Sequence, residues 1–245
     1  MKVAIITGTS SGLGKAFAQT LLDLGWKVYG ISRRETPELM VHNNFRQLTM
    51  DLARPLDKQL LSREIIEKKI DLLVNNAGSC IQQAASNWDE KNYQVMFSVH
   101  YTRPVELISM LHTKLSNGMI ISTLSDSTHI GWEGYSLYCA SKAALLLHMK
   151  TFAIENPKIQ VYNIHPFGVD TPIIDALESD IVAIRKNLMK TKDVTTVFIE
   201  LVTGVLSLPS AASIFLHNEW EIEDVKEISA GMYTYNVDTE ALTKL

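Results

Sequence analysis

Cysteine is nearly missing from this chain: Cys80 and Cys139 are the only two among 245 residues. That excludes a disulfide-stapled scaffold. With no metal-ligand spacing around them, it also points to a reducing compartment. Long apolar runs are missing as well. Nothing approaches the ~18 consecutive apolar residues of a membrane span, so no membrane association is expected. The first apolar run, Val3 to Ile6, enters a Gly-rich turn at once and is too short for a secretory leader, so the expected location is the cytoplasm. Clustered basic charge is missing too. No basic run exceeds Arg33-Arg34 and the net charge is -4, so nucleic acid is not an expected partner. There is no internal repeat and no low-complexity segment.

What is present is ordinary for a globular protein: 46% hydrophobic and 20% charged residues. A chain of this length buries about 70–75% of its extended surface on folding and needs no staple. Short apolar runs alternate with helical patterns. KVAII is a buried strand by its length and β-branched content. Residues 12–24 repeat Leu13, Ala16, Phe17, Leu21 and Leu24 at helical spacing, and Gly25 ends the pattern. Strands are expected at 27–31, 45–50, 71–75, 119–123 and 160–164, and helices at 56–68, 89–113, 138–155 and 193–206. Six strands separated by helices imply a parallel sheet covered on both faces. Right-handed crossovers then make it a doubly wound Rossmann sheet, a three-layer α/β/α sandwich. One domain spanning 1–245 is expected, with a substrate lid at about 172–192. Residues 219–245 form an atypical end, with one strand expected near Trp220-Glu221-Ile222.

The first motif is TGTSSGLG, in which Gly8, Gly12 and Gly14 follow a strand and open a helix. Glycines there let the backbone turn tightly against a pyrophosphate, and the helix N-terminus offers free N–H groups and partial positive charge. About twenty residues on, an acid would hold a ribose 2′-hydroxyl, whereas arginine would accommodate a 2′-phosphate. Here Ser32 stands at the acid's place and Arg33 and Arg34 follow. An arginine fork suits a phosphate, so the expected cofactor is NADP (NADPH) rather than NAD.

With these pieces the chain resembles the short-chain dehydrogenase/reductase family. The matching segments are TGTSSGLG at 7–14, NNAG at 75–78, Ser125, YCASK at 138–142 and PFGVDT at 166–171, in the family's order. The resemblance implies an oxidoreductase that interconverts a carbonyl and an alcohol by hydride transfer, working as a homo-oligomer (a dimer or tetramer). It assigns to the cofactor Ser10, Ser11 and Leu13 beside the three glycines, and Asn76, Ala77 and Gly78. It also assigns Asp51 with Leu52 at the adenine, and Pro166, Gly168, Val169 and Thr171 near the nicotinamide. For Asp51, a local capping role is a competing expectation.

Two tyrosines, Tyr135 and Tyr138, precede Lys142. Tyr138 lies four residues before the lysine, so on a helix their Cβ atoms stand about 6 Å apart on one face. Tyr135 lies seven before, about 10 Å along the axis, and Gly131 and Gly134 suit a loop there. An ammonium beside a phenol favours the phenolate and lowers its pKa from about 10 toward neutrality, where an acid–base group works best. Tyr138 is therefore the expected acid–base, and by resemblance Lys142 also binds the ribose. Ser125 lies thirteen residues ahead of Tyr138, just past a strand end, and the resemblance gives it a hydrogen bond to the substrate oxygen.

The chain departs from the family in several places. His100 occupies the position of a family asparagine whose main-chain carbonyl completes a proton relay. A histidine there either keeps that relay, shuttles protons itself, or is a hydrogen-bonded core residue. The family's Pro-Gly becomes Pro166-Phe167-Gly168. Ser11 stands where NADP-preferring members often carry a basic residue. Met232, Tyr233 and Tyr235 replace the usual Gly-rich close and are expected to pack the tail. Ser79, Cys80, Ile81, Trp132, Phe167 and the lid are candidates for lining the substrate site. Cys139 lacks a base partner and is expected to be a small packing residue. Two other functions compete: an NADP-binding regulator with impaired catalysis, and a redox-neutral epimerase or dehydratase that retains its cofactor.

Overall fold

The structure, a computed structural model, describes residues 1–176, 185–218 and 232–244. Its framework is one nine-stranded sheet. The strands are β1 (Val3–Thr7), β2 (Lys27–Ser32), β3 (Phe45–Thr49), β4 (Leu72–Asn75), β5 (Met119–Thr123), β6 (Gln160–Pro166), β7 (Ala212–His217), β8 (Tyr233–Asn236) and β9 (Ala241–Lys244). Their spatial order is β3-β2-β1-β4-β5-β6-β7-β8-β9. All neighbours are parallel except β8 and β9, which form an antiparallel hairpin at the edge.

The helices are α1 (Gly12–Asp23), α2 (Pro37–Met40), α3 (Lys58–Glu64), α4 (Glu90–Phe97), α5 (Arg103–Leu111), α6 (Ser136–Glu155) and α7 (Thr191–Thr203). They cover the sheet on both faces. Ala4 and Ile6 of β1 join Phe17, Leu21, Val197 and Phe198 in one core under α1 and α7. Val3 and Ile5 of the same strand join Leu107, Leu145 and Met149 in the other, under α5 and α6. Burial on both faces is why the strand reads as a continuous apolar run. The sandwich expected from the sequence is present. No helix among the described residues is long and apolar enough to cross a membrane.

Several expectations need correction. Among the described residues the sheet has nine strands rather than six. β7 went unanticipated, and β8 and β9 lie in the atypical end, where the one strand expected was near 220–222, a stretch outside the described residues. The helix expected over 89–113 runs from Glu90 to Leu111, but not as one α-helix. Between α4 and α5 the chain makes a π-helical turn at Ser98–Thr102, where one extra residue is accommodated in the ladder. The helix expected over 56–68 shortens to seven residues, starting at an Asp57 cap whose carboxylate accepts the Leu60 N–H at 2.8 Å, because Ile65 leaves helical geometry. Of the lid expected at 172–192, residues 177–184 lie outside the description. The flanks are tied together: Arg185 bonds Asp170 at 2.5 Å and Asp175 at 2.6 Å, and Lys190 bonds Asp170 at 3.2 Å.

The carboxyl ends of β4, β5 and β6 are unusually polar for a sheet interior. Asn75, Ser122, Asn163 and Ser213 pair in register across β4 to β7 and are all buried. Just beyond this row the strands deliver the candidate site.

Candidate active site

The glycine turn is packed against its surroundings without slack. Gly8, at φ +79°, donates its N–H to Ile31 O at 2.7 Å, and a Cβ on it would stand 2.8 Å from Ala77 Cα. A Cβ on Gly14 would stand 2.3 Å from the Gly8 carbonyl oxygen. Thr7 locks the segment that follows β4: its hydroxyl accepts from Asn76 N at 2.9 Å and Ala77 N at 3.0 Å, and its carbonyl accepts from the Asn76 amide at 3.0 Å. α1 begins at Ser11 with no side-chain cap and no acid in its first turn. Its leading N–H groups are therefore free for an anion. Ser10 and Leu13 line the same turn, both partly exposed. Thr171 closes the turn from above, 3.3 Å from where a Gly12 Cβ would be. Pro166 ends β6, and Gly168 and Val169 hold the segment between by pairing with Met189. The cradle fits a dinucleotide.

Other expected cofactor residues behave differently. The Ser32 hydroxyl turns inward, donating to Arg34 O at 2.7 Å and accepting from Gln47 Nε2 at 2.9 Å. Arg33 and Arg34 are exposed just past β2. Asp51 caps its own turn, its Oδ1 accepting the Ala53 N–H at 3.0 Å, while the Leu52 side chain is core. Gly78 has room around it: a Cβ there would meet nothing nearer than His100 Nε2 at 3.5 Å.

α6 supplies the chemistry. Tyr135 caps it and Tyr138 and Lys142 lie inside it, so the spacing argument holds for Tyr138. Lys142 Nζ stands 5.7 Å from the Tyr138 ring centroid and donates to Thr123 O at 2.8 Å, pinning α6 to the end of β5. Ser125 lies in the loop after β5, its side chain close enough to Tyr138 to pull the phenol's pKa down somewhat. The loop's main chain is fixed through the Ser125 carbonyl, which accepts from Thr128 Oγ1 at 2.7 Å and from His165 Nδ1 at 3.1 Å.

The electrostatics correct one expectation. Lys142 does not bring the phenol toward neutrality here. Burial pushes Tyr138 well above its ordinary value, and the Ser125 side chain only partly opposes it. Burial also drops Lys142 to about 8, because an ammonium without water is costly. The phenol is therefore protonated at neutral pH, the form that a proton donor needs.

His100 sits in the π turn, buried, with both ring nitrogens engaged. Nε2 accepts the Ser79 N–H at 3.0 Å, so the proton is on Nδ1, which faces Ser141 Oγ at 2.8 Å. Ser141 in turn donates to Tyr138 O at 3.0 Å. Burial, then the Lys142 charge, holds the ring neutral. The ring meets Tyr138 edge-on at 5.3 Å. His100 is thus a buried histidine with both ring nitrogens engaged, and through Ser141 it braces the α6 turn carrying Tyr138.

Ser79, Cys80 and Ile81 follow the Asn76 segment, partly exposed, and Trp132, in the loop before α6, is 42% exposed. Burial raises the Cys80 thiol to about 11, so it carries no thiolate at neutral pH. Cys139 Sγ faces Ile130 O at 3.7 Å. Phe167 is buried in the core beside Phe215 rather than lining the cleft. Met232 and Tyr235 pack into that same core, as expected of the tail. Sequence reasoning passed over Asp126, whose carboxylate lies against Ser125 at 2.5 Å.

Comparison with known proteins gives a consistent picture. A family model described as short chain dehydrogenase matches residues 2–181. A tropinone reductase homolog of Datura stramonium is 27% identical over 188 residues, spanning 71% of this chain and 70% of that one. An alcohol dehydrogenase of Thermococcus sibiricus, solved with 5-hydroxy-NADP, shares the fold at a TM-score of 0.73 and 22% identity, covering 88% of this chain and 95% of that one. A 3-ketoacyl-(acyl-carrier-protein) reductase of Brucella melitensis, solved with NADH, does so at a TM-score of 0.76 and 22% identity, covering 87% and 96%.

Proposed function

The chain belongs to the short chain dehydrogenase family of oxidoreductases, and on that premise we propose that it reduces a carbonyl to an alcohol, or the reverse, with NADPH as cofactor and Tyr138 as proton donor. The observation that carries this reading is the meeting of Ser125, Tyr138 and Lys142 beyond the carboxyl ends of β5 and β6, beside a glycine turn closed by Thr171. Ligands of open α/β sheets bind at such strand ends.

A bound nicotinamide supplies the hydride. The chain's own residues do the rest. The turn at Gly8, Gly12 and Gly14 and the open start of α1 would hold the phosphates, and Asn76, Ala77 and Thr171 flank the route between. Tyr138 holds its proton through burial and delivers it to the substrate oxygen. Ser125 steadies that oxygen beside it. Lys142, mostly charged at neutral pH with a pKa of about 8, offers a cation behind the phenol as it loses its proton. His100 and Ser141 keep this turn of α6 in place. The preference for NADPH rests on Arg33 and Arg34, exposed past a strand end that bears Ser32 instead of an acid. Structural relatives were solved with NADP-type and NAD-type cofactors alike, so the fold does not choose between them.

The whole chain acts as one catalytic unit in this reading, and it self-associates. Leu147 and Ile154 on the outer side of α6 are 68% and 81% exposed, a surface suited to a second copy.

The test is NADPH consumption over a panel of carbonyl compounds, with Tyr138→Phe as the control. Turnover is expected to fall by at least about 10² with NADPH affinity retained. Normal turnover in Tyr138→Phe sinks the assignment, and tight NADPH binding without turnover on any carbonyl favours a regulator. Arg33→Asp is expected to weaken NADPH binding much more than NADH binding; equal losses would refute the phosphate role.

A further inference from the structure

We infer that Asp126 is a positioning residue that decides whether the Ser125 hydroxyl is free to donate to a bound substrate oxygen. The inference rests on the roles proposed above for Ser125 and Tyr138.

The Ser125 hydroxyl has one proton and two hydrogen-bonded neighbours able to take it. Asp126 Oδ1 is nearest at 2.5 Å and Ser127 Oγ lies at 3.1 Å. Only the carboxylate is charged, and a charged acceptor makes a bond roughly twice as strong as a neutral one. While Asp126 is ionised it therefore takes the proton. The carboxylate cannot swing away, because its Oδ2 accepts the Trp132 indole N–H at 2.9 Å and its Oδ1 also receives the Ser127 hydroxyl at 3.3 Å.

The consequence falls on the substrate. With its proton on Asp126, the Ser125 oxygen is an acceptor only. It already takes the Ser127 N–H at 3.2 Å. The Ser125 proton then points to Asp126, away from a carbonyl. Reduction passes through a developing oxyanion that needs donors. When Asp126 is protonated, its own O–H turns to Ser125 and the Ser125 proton is released toward the substrate. Burial raises the Asp126 carboxyl above the ordinary range, against the pull of Ser125, Ser127 and Trp132, which moves this change toward working pH.

Other titratable groups surround the carboxyl. α6 contributes Tyr138, Cys139 and Lys142, the loop after β4 contributes Cys80, β6 contributes His165, and the carboxyl's own loop holds His129 and Glu133. Burial sends Cys80 to about 11, Lys142 to about 8 and His165 to about 3, while His129 falls below its ordinary value and shares the acid range. His129→Gln is therefore the control.

The experiment is Asp126→Asn. Trp132 retains the amide oxygen as its acceptor, so the amide N–H₂ faces Ser125 and donates to it, leaving the Ser125 proton free. Carbonyl reduction at neutral pH is expected to rise about tenfold, the margin between a charged and a neutral competitor for one proton. NADPH affinity and thermal midpoint should stay unchanged. The wild-type rise in kcat/KM as pH falls should vanish in Asp126→Asn and persist in His129→Gln. On a Ser125→Ala background, Asp126→Asn should bring no gain. A slower Asp126→Asn enzyme, or one that keeps the acid limb, overturns the proposal. A readout without turnover is the carbon-13 titration of the Asp126 carboxyl: Ser125→Ala should move its pKa upward, since the ionised form loses its donor, and an unmoved titration overturns the proposal. Undiminished turnover in both Ser125→Ala and Tyr138→Phe would instead overturn the proposed function itself.

Discussion

Lys142 shows what the site costs the fold. The residue is 5% exposed and its hydrogen bond to Thr123 O does not compensate for lost water, so its pKa falls from 10.5 to about 8. A base whose folded value lies below its unfolded one weakens the fold while it is charged. The penalty is full below about pH 8 and fades as pH rises toward 10.5. Lys142→Met should therefore raise stability at neutral pH, by on the order of 3 kcal/mol at most, and the gain should shrink in alkaline buffer while turnover is lost. Denaturant melts at two pH values check this, and a destabilised variant at neutral pH would contradict it. The pairing of Tyr138 with Lys142 was legible in the sequence through helical spacing, while the place of Ser125 came from the family resemblance together with its position past a strand end. Asp126 was not legible, since a residue adjacent to Ser125 carries no spacing signal and matters only because its carboxylate folds back on the preceding hydroxyl. The position of His100 was legible. Its partners Ser79 and Ser141 come from two other parts of the chain, and only folding brings them to the ring.

At the scale of elements, β1, the glycine turn and α1 behave as one piece. A methyl at Gly14 would run into the Gly8 carbonyl, and backbone cannot yield as a side chain can. Gly14→Ala should abolish cofactor binding by titration calorimetry and lower the thermal midpoint by several degrees, because the turn must open to admit it. An intact binding isotherm would show that the turn has slack. β1, β2, β4 and β5 were readable because burial on both faces keeps most of their residues apolar, whereas β3 and β6 mix apolar and polar residues within a short run. β7 hid behind Pro209 and Ser210, and β8 and β9 hid because edge strands with one wet face carry Thr, Asn and Lys. The π turn at Ser98–Thr102 was invisible for a different reason: one inserted residue shifts the apolar face by a fraction of a turn, which periodicity over a short window does not resolve.

Across the whole molecule, the β8–β9 hairpin is what keeps β7 from being an edge. Every residue of β7 is buried, and Met232 and Tyr235 pack into the core beside Phe215. Ending the chain at Asn218 should bare the β7 ladder. The expected outcome is a lower thermal midpoint and growth of large species by light scattering beyond the parent's own assembly state, and an unchanged, non-aggregating truncation would show that the hairpin is dispensable. The order of the sheet has another consequence, for synthesis. β1 is made first but lies between β2 and β4, and the turn beside it is finished only when Asn76 and Ala77 tie to Thr7 and Thr171 settles over Gly12. At about 5–20 residues per second a ribosome needs roughly ten to thirty seconds to travel from that turn to Thr171. For that interval the earliest-made part of the pocket waits half-built.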